Sequence, residues 1–232
     1  MLDQAFEALK TYDWGVEPKV LAPIDEAVIK THEDAAGREQ LELRLVEVLK
    51  NGSSRDAKDY VCRKLLVIGT AASVPTLAAL LPDADNSHMA RYALQGIPAA
   101  EAAAALRDAL GKVDGVLKIG VVASLGARGD AASIPALAAL LAGNDEKLAA
   151  AAAVALGDIG GADAAKALAK VKPRGPEVAR AATDASLACA ESLLAKGNKG
   201  EALAVYKSLV GENQPKHVRL AATKGMLACA GK

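Results

Sequence analysis

SVPTLAALL runs from Ser73 to Leu81, and sixty residues later SIPALAALL runs from Ser133 to Leu141. In both phrases a serine precedes a proline by two. Serine is a good helix N-cap because its hydroxyl can accept an orphan backbone N–H. Proline in the first turn loses no hydrogen bond. Each phrase therefore reads as the start of a helix, and its recurrence means that the chain builds the same unit more than once.

What precedes each phrase defines that unit. The segments RKLLVIGTAASVPTLAALL, RYALQGIPAAEAAAALRDAL, VVASLGARGDAASIPALAALL and AVALGDIGGADAAKALAK align on Ile68-Gly69, Ile97-Pro98, Leu125-Gly126 and Ile159-Gly160, spaced 29, 28 and 34 residues apart. Leu65 and Ile68, Leu94 and Ile97, Val122 and Leu125, and Leu156 and Ile159 stand three apart. Each pair shares one helix face and forms a buried stripe. The following Gly or Pro ends the helix, Gly by tolerating a left-handed C-cap and Pro by breaking the hydrogen-bond ladder. A period near thirty is the mark of stacked helix hairpins.

A second self-similarity lies downstream: AATDASLACA at 181 to 190 returns as AATKGMLACA at 221 to 230, with Val178 and Val218 also matching. Between them Gly197, Ala202 and Tyr206 keep a Gly-x4-Ala-x3-Tyr spacing. The first sixty residues are less regular, with helices expected at about 2–12, 19–32 and 37–50. Phe6, Tyr12, Trp14 and Tyr60, four of the six aromatics, lie there. They are expected to cover the end of the array as a hydrophobic cap, with a pocket around Trp14 as the other reading. The organisation is thus residues 1–54 as an irregular cap, 55–174 as regular repeats and 175–232 as longer hairpins, in one continuous array. The abrupt stop at Gly231-Lys232 reads as a cut from a longer chain.

Composition agrees. Of 232 residues 52% are hydrophobic but only 3% aromatic, so the core is made of small side chains that suit closely packed helices. Net charge is zero, yet residues 1–60 carry 8 basic and 13 acidic groups while residues 164–232 carry 12 and 5. That polarity is either ordinary surface solvation or a mark of an acidic partner, or of a second copy meeting the first end to end. No apolar run is long enough for a membrane span, and MLDQAFEALK is not a signal peptide. Cys62, Cys189 and Cys229 all fall in helical stretches and read as free core thiols.

The Ile-Gly ending, the SxPxLxxLL opening and the period near thirty resemble the bacterial HEAT-like repeats, the short phycobilin-lyase type of the armadillo superfamily. The 196–230 stretch resembles a tetratricopeptide hairpin, without that family's usual Trp and Leu-Gly. The resemblance implies an all-α, right-handed α-solenoid of about 11–13 helices. It also names three chemistries to look for. Iron hydroxylases on this fold use several His-Glu pairs, and the chain has one, His32-Glu33, with His88 and His217 in distant units. DNA glycosylases need Lys and Arg gathered around aromatic groups, whereas Trp14 lies in the acidic third. Chromophore lyases need a partner subunit, and the repeat itself does not speak for a bilin.

No phosphate loop, nucleophile elbow or Cys-x-x-Cys is present. No catalytic residue, metal, cofactor, nucleic acid or membrane is expected. The best surface is a patch from two adjacent second helices: Lys58, Arg63, Lys64, His88, Arg91 and Tyr92. Arg and Tyr are favoured at interface hot spots. The plainer reading is that the lysines and His88 are solvated and that Arg91 braces neighbouring repeats. Alanine-lined rows in the third and fourth repeats would add a smooth groove for an extended segment or an amphipathic helix. The expectation is a non-enzymatic protein-binding or scaffolding module. An enzyme or enzyme subunit on the same fold is the alternative, and a structural spacer is the third option.

Overall fold

A computed structural model describes residues 1–172 and 174–231, and every regular element among them is helical. The chain is an all-α solenoid of helix hairpins. It falls into two compact units, Met1–Val121 and Val122–Lys232, taken here in turn.

The first unit holds α1 (Leu2–Lys10), α2 (Ala22–Lys30), α3 (Ala35–Lys50), α4 (Arg55–Ile68), α5 (Val74–Ala79), α6 (Ser87–Gly96), α7 (Ala100–Ala109) and the first half of α8 (Gly115–Ala127). The second holds the rest of α8, then α9 (Ile134–Leu141), α10 (Glu146–Ile159), α11 (Gly161–Lys170), α12 (Pro176–Ala195), α13 (Lys199–Ser208) and α14 (Lys216–Cys229). Fourteen α-helices among the described residues exceed the 11–13 expected, because even the short hairpin arms α5 and α7 close as helices of their own. Asp34, Ser54 and Asp145 accept backbone N–H groups at the starts of α3, α4 and α10, which satisfies donors that the helix itself leaves open.

Within each unit the helices form two rows. α3, α5 and α7 pack in one row of the first unit, and α4 packs beside α6 in the other. In the second unit α9 packs on α11, while α10, α12 and α14 follow one another. The predicted stripe is the core: Leu65, Leu94, Ile97, Val122, Leu125 and Leu156 are fully buried and Ile68 nearly so. Ile159, at the last marker, is only half-buried.

Polar clamps join successive repeats at a nearly constant separation. Arg38 Nε donates to the Ile68 carbonyl at 2.7 Å, and Arg91 Nη1 donates to the Gly120 carbonyl at 2.9 Å. Glu42, 2% exposed on α3, accepts from Thr70 N at 2.7 Å, Thr70 Oγ1 at 2.9 Å and Ser73 Oγ at 2.5 Å. In the second unit Arg174 reaches back to Asn144. These bonds span 28 to 31 residues, one repeat length.

The serines and glycines act differently from the sequence expectation. Ser73 and Ser133 do not accept a cap bond; each ends a 3-10 turn (Ala71–Ser73 and Ala131–Ser133), is fully buried, and donates instead, Ser73 to Glu42 and Ser133 to the Asp130 carbonyl. Of the marker glycines only Gly160 takes the left-handed region, at φ +68°. Gly69 has φ −61°, and a Cβ there would lie 2.4 Å from the Leu65 carbonyl. Gly126 lies inside α8, where a Cβ would stand 2.7 Å from Ala155 Cα; Gly157 meets Ala185 in the same way at 2.8 Å. Two glycines were thus selected for close approach of neighbouring helices, and Gly129, three residues on, supplies the actual C-cap of α8: Asp130 N donates to the Leu125 carbonyl at 3.1 Å and Gly129 N to the Gly126 carbonyl at 2.8 Å.

The aromatic cap forms in part. Phe6 is buried beneath Arg44, whose guanidinium stands 4.0 Å from the ring centre and pairs with Asp3 at 2.8 Å. Tyr60 donates to Asp25 at 2.8 Å. Trp14 does not join: it is 92% exposed in the turn after α1. Cys62 and Cys189 are buried free thiols, as expected, whereas Cys229, at the end of α14, is only half-buried.

Candidate partner-binding surfaces

The six patch residues lie three on α4 and three on α6, helices that pack side by side. Their chemistry differs from one to the next. Lys64 pairs with Asp25 at 2.6 Å and lies 4.6 Å over the Tyr60 ring, so it ties α4 to α2. Arg91 is half-buried, and its guanidinium occupies the space that a Cβ on residue 120 would fill. It braces consecutive repeats, and burial depresses its pKa. Arg63 pairs with Asp59 at 2.8 Å, a hydrogen-bonded contact that raises its pKa. His88, Arg63 and Tyr92 face solvent, and Lys58 is half-buried. The surface open to a partner is therefore Arg63, His88 and Tyr92.

A groove of about 450 Å3 adjoins this patch, lined by Tyr12, Asp13, Trp14, Asp56, Tyr60 and Arg63 among others. Burial, with the hydrogen bond to Asp25 second, pushes the Tyr60 phenol well above its ordinary pKa, so it stays a neutral donor.

The second unit carries a larger and more apolar groove, about 600 Å3. Its floor is α12, through Ala179, Ala182, Thr183 and Ser186. One wall is α11, with Ala165 and Leu168, and the other is α13, with Val205 and Leu209. The floor residues stand at i, i+3, i+4 and i+7, so they share one helix face, and all four are small. α11 and α13 both pack on α12, and the slot between them is a place in the row where side chains are too short to close the gap. Lys166 and Glu201 stand at its edges. Smooth alanine rows were expected on the second helices of the third and fourth repeats. The groove lies one repeat further along, where AxxATxxS in α12 was the available signal.

Among the described residues no group of three or more His, Cys, Asp or Glu is placed to hold a metal ion, and His32 and Glu33 are both exposed at the end of α2. Among them, too, no helix is long and apolar enough to cross a membrane.

No family model matches the chain, and no curated protein matches it. Solved structures similar to it include human deoxyhypusine hydroxylase in complex with glycerol, at 14% identity over 100% of this chain and 96% of that one, with a TM-score of 0.37. An engineered protein is similar at 19% identity over 90% of this chain and 97% of the other, with a TM-score of 0.43. The expectation that the chain is not an enzyme is corrected here, because a protein of similar helical organisation is an enzyme. A stack of helix hairpins does not exclude catalysis, since function resides in the side chains that the stack presents. What the structure itself establishes is an all-helical repeat fold.

Proposed function

We propose that the chain is a HEAT-like repeat module that binds a protein partner, and that the groove between α11 and α13 receives an amphipathic helix of that partner. The observation that carries this is the small-residue floor of α12, Ala179, Ala182, Thr183 and Ser186, which leaves a slot of about 600 Å3 between two helices that both pack on α12. An apolar helix face laid into such a slot completes the row that the chain leaves unfinished, as helix-in-groove recognition requires. The surrounding segment, residues 164–232, has 12 basic against 5 acidic groups, so the exposed side of the guest helix is acidic. Arg63, His88 and Tyr92 on α4 and α6 form a separate contact surface. The proposal concerns what is held; it applies equally to a module that docks a substrate protein or a subunit of an enzyme.

A photo-crosslinking residue at position 179, used in native extract, identifies the guest, which is then purified and titrated. Ala179→Trp fills the slot from an exposed position and should weaken binding at least about tenfold, roughly 1.4 kcal/mol. Arg63→Ala with Tyr92→Ala should leave that guest's affinity unchanged. If the two results are reversed, the partner site is on α4 and α6; if neither variant matters, the groove is not a docking site.

A further inference from the structure

The groove beside α4 is walled by two kinds of side chain, aromatic rings and carboxylates. Asp56, Asp59, Tyr60 and Arg63 stand at i, i+3, i+4 and i+7 on α4, so they share one helix face, and all four line the groove. The turn after α1 supplies Tyr12, Asp13 and Trp14. Ser54, the N-cap of α4, donates to the Tyr12 carbonyl and so pins that turn to the start of the helix, while Asp13 Oδ1 accepts from Trp14 N at 2.9 Å. Three of the chain's six aromatic rings thus line one space of about 450 Å3, within the range of about 300–1,000 Å3 common for small-ligand sites.

The groove is negative. Its three carboxylates meet one guanidinium, and Arg63 is committed to Asp59 at 2.8 Å. Among the described residues no cation pairs with Asp13 or Asp56. Asp56 lies in the first turn of α4, where the helix dipole offsets only about half a charge. Aromatic faces add to the same sign, since the ring quadrupole is negative above the plane. Tyr60 already shows that attraction: the Lys64 ammonium, which is not part of the groove lining, stands 4.6 Å from its ring centre and is neutralised by Asp25 at 2.6 Å. The Tyr60 hydroxyl donates to Asp25 at 2.8 Å, which holds the ring in place and enriches it in electron density. Tyr12 and Tyr60 have ring centres 6.4 Å apart and planes tilted by 53°, so they meet at an angle instead of stacking flat.

We propose that this groove binds a methylated ammonium group, with Tyr12, Trp14 and Tyr60 as its walls and Asp13 and Asp56 as its counter-charge. The lining selects this cation over others. A metal ion needs several ligand atoms converging at bonding distance, and among the described residues no group of three His, Cys, Asp or Glu is so placed. A primary ammonium or a guanidinium gains most from direct hydrogen bonds to carboxylates, and Arg63 already takes that role on Asp59. A trimethylammonium group has no N–H to donate, presents its charge through an apolar surface, and gains most from aromatic faces. It reaches the groove on a small choline-like solute or on a methylated lysine side chain, and the test separates the two.

Trp14 is the one tryptophan of the chain, so the intrinsic fluorescence of the full protein reads this groove alone. Choline should change it saturably, and its uncharged isostere, with carbon in place of nitrogen, should bind at least about tenfold more weakly. A peptide carrying trimethyl-lysine should outbind the same peptide with unmodified lysine by about tenfold or more. If the methylated peptide also exceeds choline by that factor, the group belongs to a protein side chain; affinity equal to that of choline assigns it to the small solute. Calorimetry then follows the variants, with circular dichroism to confirm that the fold is kept. Trp14→Leu, and Asp13→Asn with Asp56→Asn, should each weaken choline binding about tenfold, whereas Trp14→Phe should retain most of it. Choline that gives no saturable response, an isostere or unmodified peptide that binds as well as its charged or methylated counterpart, or an affinity unmoved by Trp14→Leu would each overturn the proposal. None of these outcomes bears on the α11–α13 groove, which lies in the other unit.

Discussion

Glu42 is the residue whose removal speaks most directly to how the repeats are joined. It is a carboxylate 2% exposed on α3, held by Thr70 N, Thr70 Oγ1 and Ser73 Oγ from the turn that follows α4. Glu42→Ala deletes three hydrogen bonds to a charged acceptor and leaves the fully buried Ser73 hydroxyl and the Thr70 amide without their partner. An abandoned buried donor costs about 1–3 kcal/mol. Two of them, less the relief of no longer burying a charge, give a net loss of about 3–4 kcal/mol. For a chain of this size that lowers Tm by about 10 °C. Glu42→Gln keeps an oxygen for Thr70 N and Ser73 and should cost about half as much. Thermal and urea unfolding followed by circular dichroism supply the numbers, and a cycle with Ser73→Ala should show a coupling of about 1 kcal/mol or more. Stability of Glu42→Ala within about 1 kcal/mol of wild type, or additive effects in the cycle, would refute the view that this carboxylate holds neighbouring repeats together.

Other outcomes follow from particular contacts. Ile97→Asp places an unpaired carboxylate at a fully buried position and should lower stability by about 3–5 kcal/mol; unchanged unfolding would mean the repeat register is wrong. Gly157→Ala presses a methyl against Ala185 Cα at 2.8 Å, where backbone must move, and should cost about 1–3 kcal/mol, which a shifted urea midpoint reports. With a thiol reagent at mildly alkaline pH, half-buried Cys229 should react first, since burial pushes the Cys62 thiol up to about 12 and that of Cys189 up to about 11; rapid labelling of Cys62 in the folded chain would contradict its placement. Because those two folded values lie above the ordinary thiol value, their contribution to stability is complete below about pH 8.5 and is lost as pH rises through the folded values. Replacing Cys62 with alanine should flatten that alkaline decline.

The repeat was legible in the sequence because burial and helical spacing leave a periodic trace: Leu65, Ile68, Leu94 and Ile97 could be named as core without coordinates. The three N-terminal helices were also readable to within a few residues. Tertiary uses of a residue were not. Gly126 and Gly157 look like stop signals in the chain, yet their missing side chains matter to a helix in the next repeat. Glu42 sits in EQLELRLVEV among charges that suggest solvent, and only its position opposite Thr70 makes it a buried acceptor. Lys64 read as a binding or a solvated group because its partner, Asp25, is 39 residues away, whereas the plainer reading of Arg91, a brace between repeats, is the one that its bond to the Gly120 carbonyl 29 residues on matches. Trp14 was expected in the cap over the end of the array; in the turn after α1 it stands exposed and lines a groove with Tyr12, Tyr60 and Arg63, which is nearer the other reading, a pocket around it.

The nearly constant reach of the polar clamps has a consequence for how the protein is made. Each bond joins groups 28 to 31 residues apart, so a ribosome that adds about 5–20 residues per second supplies the partner of any clamp within about 1.5–6 s. Helices themselves form in about a microsecond or less. A nascent hairpin therefore waits only for the next one to leave the exit tunnel, never for the far end of the chain. Arg38 can close on Ile68 once the end of α4 has left the tunnel, before α14 is made, and the order of synthesis becomes the order of assembly.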